Sequence, residues 1–170
     1  MSDEIRKIWN GVTTALVVIV VILAILLVGL RFAGLQIYTV LSGSMEPVYR
    51  VGSLIYVKTV ETRELEAGDV ITFRLEGDTV MTHRIVEVIA DGEDTSRIQF
   101  RTKGDANNMV DGALVQEHKV LGSPVFSIPL LGYLAHFIQN PPGTYLTVSA
   151  GALLLLLVLL PDLLCQKKKD

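Results

Sequence analysis

The stretch Ser42-Gly43-Ser44-Met45-Glu46-Pro47 lies shortly after a long apolar run, and the rest of the sequence is organised around it. Glycine and serine favour a turn, and Pro47 prevents a helix from continuing through it. A serine in a turn just beyond an apolar segment suits a nucleophile held beside a membrane, so Ser44 is a candidate nucleophile. An ordinary surface turn has the same composition, so the stretch alone does not decide between the two interpretations.

The apolar run before this turn predicts a membrane anchor. No charged residue lies between Lys7 and Arg31, and the interval is rich in Val, Ile, Leu and Ala. About 20 apolar residues of helix cross a hydrocarbon core, whereas the apolar part of a cleavable signal peptide has only about 7 to 15. We therefore predict a cytoplasmic N-terminus over 1–10 and a retained transmembrane helix over 11–31.

The middle of the chain predicts a single β-rich domain over 32–122. Short segments rich in β-branched and aromatic residues alternate there with turn residues. Apolar and polar residues alternate most clearly around Phe100, as expected for a half-buried strand. The predicted strands cover 37–41, 54–58, 70–74, 79–88 and 97–103, with a shorter one near 119–121, and turns are expected at 76–78 and 91–94.

Prolines divide the C-terminal part of the chain. Pro124, Pro129, Pro141 and Pro142 rule out one continuous helix, so we expect an interfacial or linker segment over 123–142. A leucine-rich transmembrane helix is predicted over 143–164, followed by a cytoplasmic basic tail over 165–170. Bases near the two spans favour cytoplasmic termini and an extracytoplasmic β-domain. The single cysteine, Cys165, excludes an internal disulfide.

The charge distribution argues against nucleic acid as a partner. The chain has 18 acidic and 15 basic residues, and the excess of acid falls in the β-domain. A nucleic-acid interface requires Lys and Arg gathered on a folded face.

A serine nucleophile needs a base and benefits from an acid that orients the base. Of the three histidines, His83 lies inside the longest predicted strand, whereas His118 lies in a polar connection and His136 in the interfacial segment. The loop that follows the strand at 97–103 carries Asp105 and Asp111. Its spacing does not fit a calcium-binding loop, because Val110 stands where such a loop requires glycine. We expect no metal and no cofactor.

Five stretches in order resemble the type I signal peptidases, and among them the archaeal and endoplasmic-reticulum branch, over nearly the whole chain. They are Ser42-Gly43-Ser44-Met45-Glu46-Pro47, Gly68-Asp69-Val70-Ile71-Thr72-Phe73, Thr82-His83-Arg84-Ile85-Val86, Lys103-Gly104-Asp105-Ala106-Asn107-Asn108 with Asp111, and Phe126-Ser127-Ile128-Pro129 with Leu131-Gly132-Tyr133. Bacterial members have lysine where this chain has His83. An imidazole with a pKa near 6.5 needs less tuning at neutral pH than a lysine near 10.4.

The resemblance implies a mainly β, membrane-anchored signal-peptidase fold between two transmembrane helices. It implies Ser44 as nucleophile, His83 as general base and Asp111 as the orienting acid, with Asp105 as a supporting acid. By the same resemblance the oxyanion is bound by the Ser44 backbone N–H and the Ser42 hydroxyl. The substrate would add as a strand beside 37–42 and 79–82, with its small side chains in pockets lined by Leu41, Val80, Met81 and Thr82.

The implied activity is removal of signal peptides from secretory preproteins after small residues, through an acyl-enzyme. Expected partners are these preproteins, the lipid bilayer, and either the protein-export channel or other signal peptidase subunits. An archaeal plasma membrane is favoured over the endoplasmic reticulum. Two alternatives stay open: a membrane-tethered peptidase that cleaves itself or one partner, and a non-catalytic scaffold that binds exported chains.

Overall fold

The computed structural model describes residues 3–75, 77, 79–90 and 98–166. The predicted turn at 91–94, most of the turn at 76–78, Arg97 and the terminal lysines lie outside the described residues. The chain packs as two compact units. One is Leu30–Ala135, and the other joins the residues up to Gly29 with those from His136 onward.

The second unit is helical. It contains α1 (Asp3–Ala24), the π-helical turn Ile25–Gly29 and α4 (Gly143–Gln166). The helical stretch from Arg6 to Phe32 is long and apolar enough to cross a membrane, so the first predicted span is a candidate membrane helix. The described part of the C-terminal apolar segment meets this criterion only when it is paired with the preceding helix across a bend. The second span therefore stays a prediction.

The unit Leu30–Ala135 is mainly β and carries every predicted site residue. After the helical turn α2 (Leu30–Phe32), its described residues form a seven-stranded sheet in the order β1-β2-β7-β3-β4-β5-β6, in which the paired strands are antiparallel. The strands are β1 (Leu35–Thr39), β2 (Leu54–Lys58), β3 (Val70–Arg74), β4 (Val80–Ala90), β5 (Ile98–Lys103), β6 (Val115–Gln116) and β7 (Val120–Ile128). Short 3₁₀ turns cover Thr62–Glu64 and Glu117–Lys119.

The core lies on one face of β3, β4 and β5. The side chains of Ile71 and Phe73 in β3, Ile85 in β4 and Phe100 in β5 are almost completely buried there. Alternation along β5 places Phe100 and Thr102 on this face, as the sequence pattern predicts. The mainly β fold is confirmed, and the predicted limits of β2 and β3 match the observed ones.

The last strand is much longer than predicted. The sequence predicts a short strand near 119–121 and a linker from residue 123, because proline usually ends a regular element. In the structure β7 continues to Ile128 and lies between β2 and β3. Pro124 pairs opposite Val57 next to a register shift, where the regular ladder is already interrupted and the missing N–H is tolerated.

Helix α3 (Leu131–Gln139) follows β7, and its first turn packs against the turn 50–53. The Gly132 N–H donates a hydrogen bond of 3.0 Å to the Gly52 carbonyl oxygen. A Cβ atom on Gly132 would lie 2.5 Å from the Ser53 carbonyl oxygen, so only glycine permits this approach. Gly52 has a φ of +81°, and a Cβ atom there would lie 1.9 Å from the Tyr133 ring.

We predict that Gly52→Ala destabilises the β-unit more than Gly34→Ala does. Both glycines have a φ of +81°, but nothing lies within 4 Å of a Cβ atom on Gly34. The left-handed backbone costs an alanine about 1 to 2 kcal/mol at either position. At Gly52 the Tyr133 ring must also move. Thermal unfolding in detergent, followed by near-ultraviolet circular dichroism, should show a clearly larger fall in Tm for Gly52→Ala, and equal falls would contradict this packing.

Candidate active site

The turn that carries Ser42 and Ser44 belongs to the long loop that connects β1 to β2. The chain leaves at Val40 and returns at Gly52, where the Val40 carbonyl oxygen accepts a hydrogen bond of 2.9 Å from the Gly52 N–H. Met45 is 2% exposed and anchors the turn in the protein interior. The Oγ atoms of Ser42 and Ser44 lie 3.3 Å apart, so the two hydroxyl groups are within hydrogen-bond distance of each other.

The loop after β5 holds the backbone of Ser44. The Ala106 N–H donates a hydrogen bond of 2.9 Å to the Ser44 carbonyl oxygen. A Cβ atom on Gly104 would lie 2.6 Å from that same oxygen, so glycine is required for the loop to come this close. The turn that carries Ser44 is therefore fixed by the loop that also carries the two aspartates.

His83 projects from β4 into the core face of the sheet. It lies opposite Ile71 of β3, its ring centroid is 6.4 Å from that of Phe73 in an edge-on arrangement, and its side chain is 3% exposed. His118 and His136 are exposed. Of the three histidines, His83 is thus the one held rigidly and away from bulk water.

Asp111 orients the His83 ring. The distance from His83 Nδ1 to Asp111 Oδ2 is 2.6 Å, and Thr102 Oγ1 donates to the same oxygen at 2.6 Å. An ionised carboxylate only accepts hydrogen bonds, so the proton of the neutral imidazole belongs on Nδ1. This leaves the lone pair on Nε2, the form that a general base requires.

The Nε2 atom of His83 is buried and has no hydrogen-bond partner among the described residues. Leaving a buried polar nitrogen unpaired is unfavourable, and such groups are uncommon in folded proteins. Because Nε2 is buried and has no partner among the described residues, its lone pair is available to accept a proton from a hydroxyl group that approaches it. The geometry of His83, Asp111 and Thr102 thus suits proton transfer at Nε2.

Asp105 pairs with Arg84 and not with His83. The Arg84 guanidinium donates to both carboxylate oxygens at 2.8 and 2.7 Å, and its third contact is the Gly68 carbonyl oxygen at 2.7 Å. The hydrogen bonds from Arg84 hold the pKa of Asp105 below its ordinary value, and they raise the pKa of Arg84. Asp105 therefore anchors the loop, while Asp111 faces the imidazole.

The predicted substrate-binding residues meet in one cavity, here called the serine cavity. Its volume is about 280 Å³, and it is lined by both serines together with Leu41, Val80, Met81 and Thr82. Sequence reasoning missed Tyr49 and Ile55, which also line it. Burial raises the pKa of the Tyr49 hydroxyl above its ordinary value. Among the described residues no group of His, Cys, Asp and Glu is placed to hold a metal ion.

The comparison with protein families gives a match to one model, described as signal peptidase, peptidase S26, over residues 13–110. The chain belongs to the signal peptidase family. The predicted membership of the type I signal peptidases is confirmed.

Individual relatives come from bacteria, mammals and fungi. The chain is 46% identical to signal peptidase I W of Bacillus subtilis over 51% of its own length and 45% of that protein's. It is 32% identical to the signal peptidase complex catalytic subunit SEC11C of Homo sapiens, over 62% of this chain and 58% of the human one. It is 33% identical to the signal peptidase complex catalytic subunit SEC11 of Fusarium vanettenii, over 72% of this chain and 74% of the fungal one. The chain therefore spans about half the length of the first two relatives.

We predict that Asp105 contributes to stability in a pH-dependent way. A carboxylate whose pKa is depressed in the folded state stabilises the fold above its unfolded pKa, and this contribution is lost as pH falls through the folded pKa. The melting temperature should therefore fall less on acidification below about pH 4 in Asp105→Asn than in the unchanged protein. Glu87→Gln, which alters the exposed pair of Glu87 with Arg101, is the matched control. Parallel curves for Asp105→Asn and the unchanged protein would contradict the role of Arg84.

Proposed function

We propose that this chain is a membrane-bound serine endopeptidase that removes signal peptides from exported preproteins through an acyl-enzyme. The observation that carries the proposal is the buried His83, whose Nδ1 lies 2.6 Å from Asp111 Oδ2 while Nε2 has no hydrogen-bond partner in the described part of the chain. A structural histidine in a core gains nothing from an unpaired nitrogen, whereas a general base needs one. Membership of the signal peptidase family supports the same conclusion.

In the proposed mechanism Ser44 Oγ attacks the carbonyl carbon of the scissile bond, and His83 Nε2 takes the hydroxyl proton. The oxyanion of the tetrahedral intermediate accepts hydrogen bonds from the Ser44 backbone N–H and from the Ser42 hydroxyl. The C–N bond then breaks, and Nε2 returns the proton to the leaving amine. Water, deprotonated by the same imidazole, attacks the ester carbonyl and releases the signal peptide with a free carboxylate.

Asp111 contacts Nδ1 of His83 and thereby controls the protonation of Nε2 on the same ring. Because its carboxylate accepts the Nδ1–H bond, the lone pair stays on Nε2, and the negative charge stabilises the imidazolium that forms during each proton transfer. Thr102 donates to the same carboxylate oxygen and is completely buried, so it fixes the position of the acid. Asp105 is a positioning residue in this proposal, because its contacts are with Arg84.

Two free strand edges border the serine cavity and support binding of an extended peptide. Among the described residues β1 lies at the edge of the sheet and pairs only with β2. The pairing of β4 with β5 begins at Arg84, so in the described part of the chain Val80–His83 pair only with β3. Residues from both edges line the cavity. A substrate strand would add its backbone hydrogen bonds there and direct alternate side chains into the protein.

The setting of the enzyme is part of the proposal. We propose that the helix Arg6–Phe32 anchors the chain in the bilayer, that residues 143–164 form a second span, and that both termini are cytoplasmic. Relatives named as catalytic subunits of a signal peptidase complex support partner subunits as well as preprotein substrates. An archaeal plasma membrane remains our preferred location over the endoplasmic reticulum.

We expect Ser44→Ala and His83→Ala each to lower the rate of preprotein cleavage by about 10⁴-fold or more, because nucleophile and base act as a unit. The measurement uses the detergent-purified protein and a preprotein with a small residue before the cleavage site. His118→Ala, which removes an exposed imidazole from the turn Glu117–Lys119, should cleave at the unchanged rate. Circular dichroism checks that each variant is folded. Full activity in both Ser44→Ala and His83→Ala would exclude the mechanism.

Replacing the two aspartates by asparagine separates their roles. Asp111→Asn should lower kcat by about 100- to 10,000-fold with little change in KM, because an amide no longer enforces the reactive tautomer of His83. Asp105→Asn should have a smaller effect on kcat, because it loosens the Ala106 contact with Ser44 without altering the hydrogen bond to His83. A severe loss confined to Asp105→Asn would reverse the assignment of the orienting acid.

A further inference from the structure

Asp111 lines a second cavity, which is larger than the serine cavity. Its volume is about 530 Å³, and we call it the acid-side cavity. Its walls are mostly apolar and include Phe73, Leu75, Met81 and Leu114, and its charged lining residues are Asp111, Arg74 and Lys119. The proposed mechanism gives this space no role, although it adjoins the carboxylate that orients the base.

The two cavities adjoin at β4. Thr79 and Met81 line both of them, so one begins where the other ends. Ser44 lines the serine cavity and Asp111 lines the acid-side cavity, while His83 is hydrogen-bonded to Asp111. The proposed nucleophile thus lines the smaller cavity, and the acid that holds His83 lines the larger one.

The proposed reaction determines which part of the substrate lies near Ser44 and which part lies near His83. The acyl carbon must lie at Ser44 Oγ, and the leaving nitrogen must come within hydrogen-bond reach of His83 Nε2 to receive its proton. Residues before the scissile bond then occupy the serine cavity. Because Thr79 and Met81 line both cavities, residues that follow the leaving nitrogen can reach the acid-side cavity past these two side chains.

We propose that the acid-side cavity binds an apolar side chain from the first three residues after the scissile bond. This inference rests on the proposed function and adds a specificity for the leaving segment of the preprotein. The apolar walls favour an apolar occupant, because transfer of such a side chain from water releases free energy in proportion to the area buried. Phe73 and Val115 are 2% and 5% exposed, so these parts of the wall belong to the packed core and are held in place.

Ala113 offers a direct way to fill this cavity. It lines the acid-side cavity, is exposed, and lies in the loop after Asp111, so a larger side chain there does not disturb the buried core. Ala113→Phe would place a ring in the space proposed for the substrate. Ala67 is also exposed and lies in a turn that lines neither cavity, so Ala67→Phe is the matched control. Leu114→Ala removes part of the apolar wall and provides a second, independent variant.

The experiment compares preproteins that differ only at the first, second or third position after the cleavage site, with leucine or asparagine at each. Leucine and asparagine are similar in size, so the comparison isolates apolar character. At one of these positions we expect the unchanged enzyme to favour leucine about tenfold or more in kcat/KM, the range that apolar side chains reach in hydrophobic pockets. Ala113→Phe and Leu114→Ala should each reduce this ratio toward one, and Ala67→Phe should retain it.

The outcomes separate the inference from the function on which it rests. Cleavage of every substrate with no preference at the three positions overturns the inference alone. A preference that survives both Ala113→Phe and Leu114→Ala overturns it as well. If the unchanged protein cleaves none of the substrates, the proposed function falls and the inference falls with it.

Discussion

The hydrogen bond between His83 and Asp111 is the interaction on which the site depends. Burial removes water from the imidazole, so the ring has a defined orientation only if a fixed protein group supplies it. Asp111 does so at 2.6 Å, and Thr102 donates to the same carboxylate oxygen. A buried positive charge is costly unless a partner compensates it. The carboxylate therefore makes it possible for a base to sit in the core face of a sheet and still accept a proton.

One loop relates Ser44 to His83. Ser44 comes from the turn after β1 and His83 from the middle of β4, and these two strands are far apart in the order of the sheet. The loop after β5 contacts the Ser44 carbonyl oxygen through Ala106 and the His83 ring through Asp111. Arg84 adds a third attachment through Asp105. The relative placement of the two groups is thus set by contacts of a single short segment.

Much of this arrangement could be predicted from local sequence, and the rest depends on pairing across the sheet. The apolar run, the strands β2 and β3 and the placement of His83 follow from periodicity and turn residues. Arg84 could not be recognised as the partner of Asp105, because its side chain leaves the opposite face of β4 from His83 and the partner lies 21 residues away. Thr102 appears in the sequence as an ordinary strand residue. The length of β7 was missed because Pro124 breaks regular pairing, and a local rule cannot foresee a bulge that accommodates it.

The position of β7 makes the sheet depend on the last of its strands to be synthesised. This strand lies between β2 and β3 and joins the half that carries the serine turn to the half that carries His83. Pairs between residues so distant in sequence form slowly, because the intervening chain must close first. A nascent chain that has not yet extended to Ile128 lacks the strand that connects these halves, and only the loop after β5 then relates Ser44 to His83.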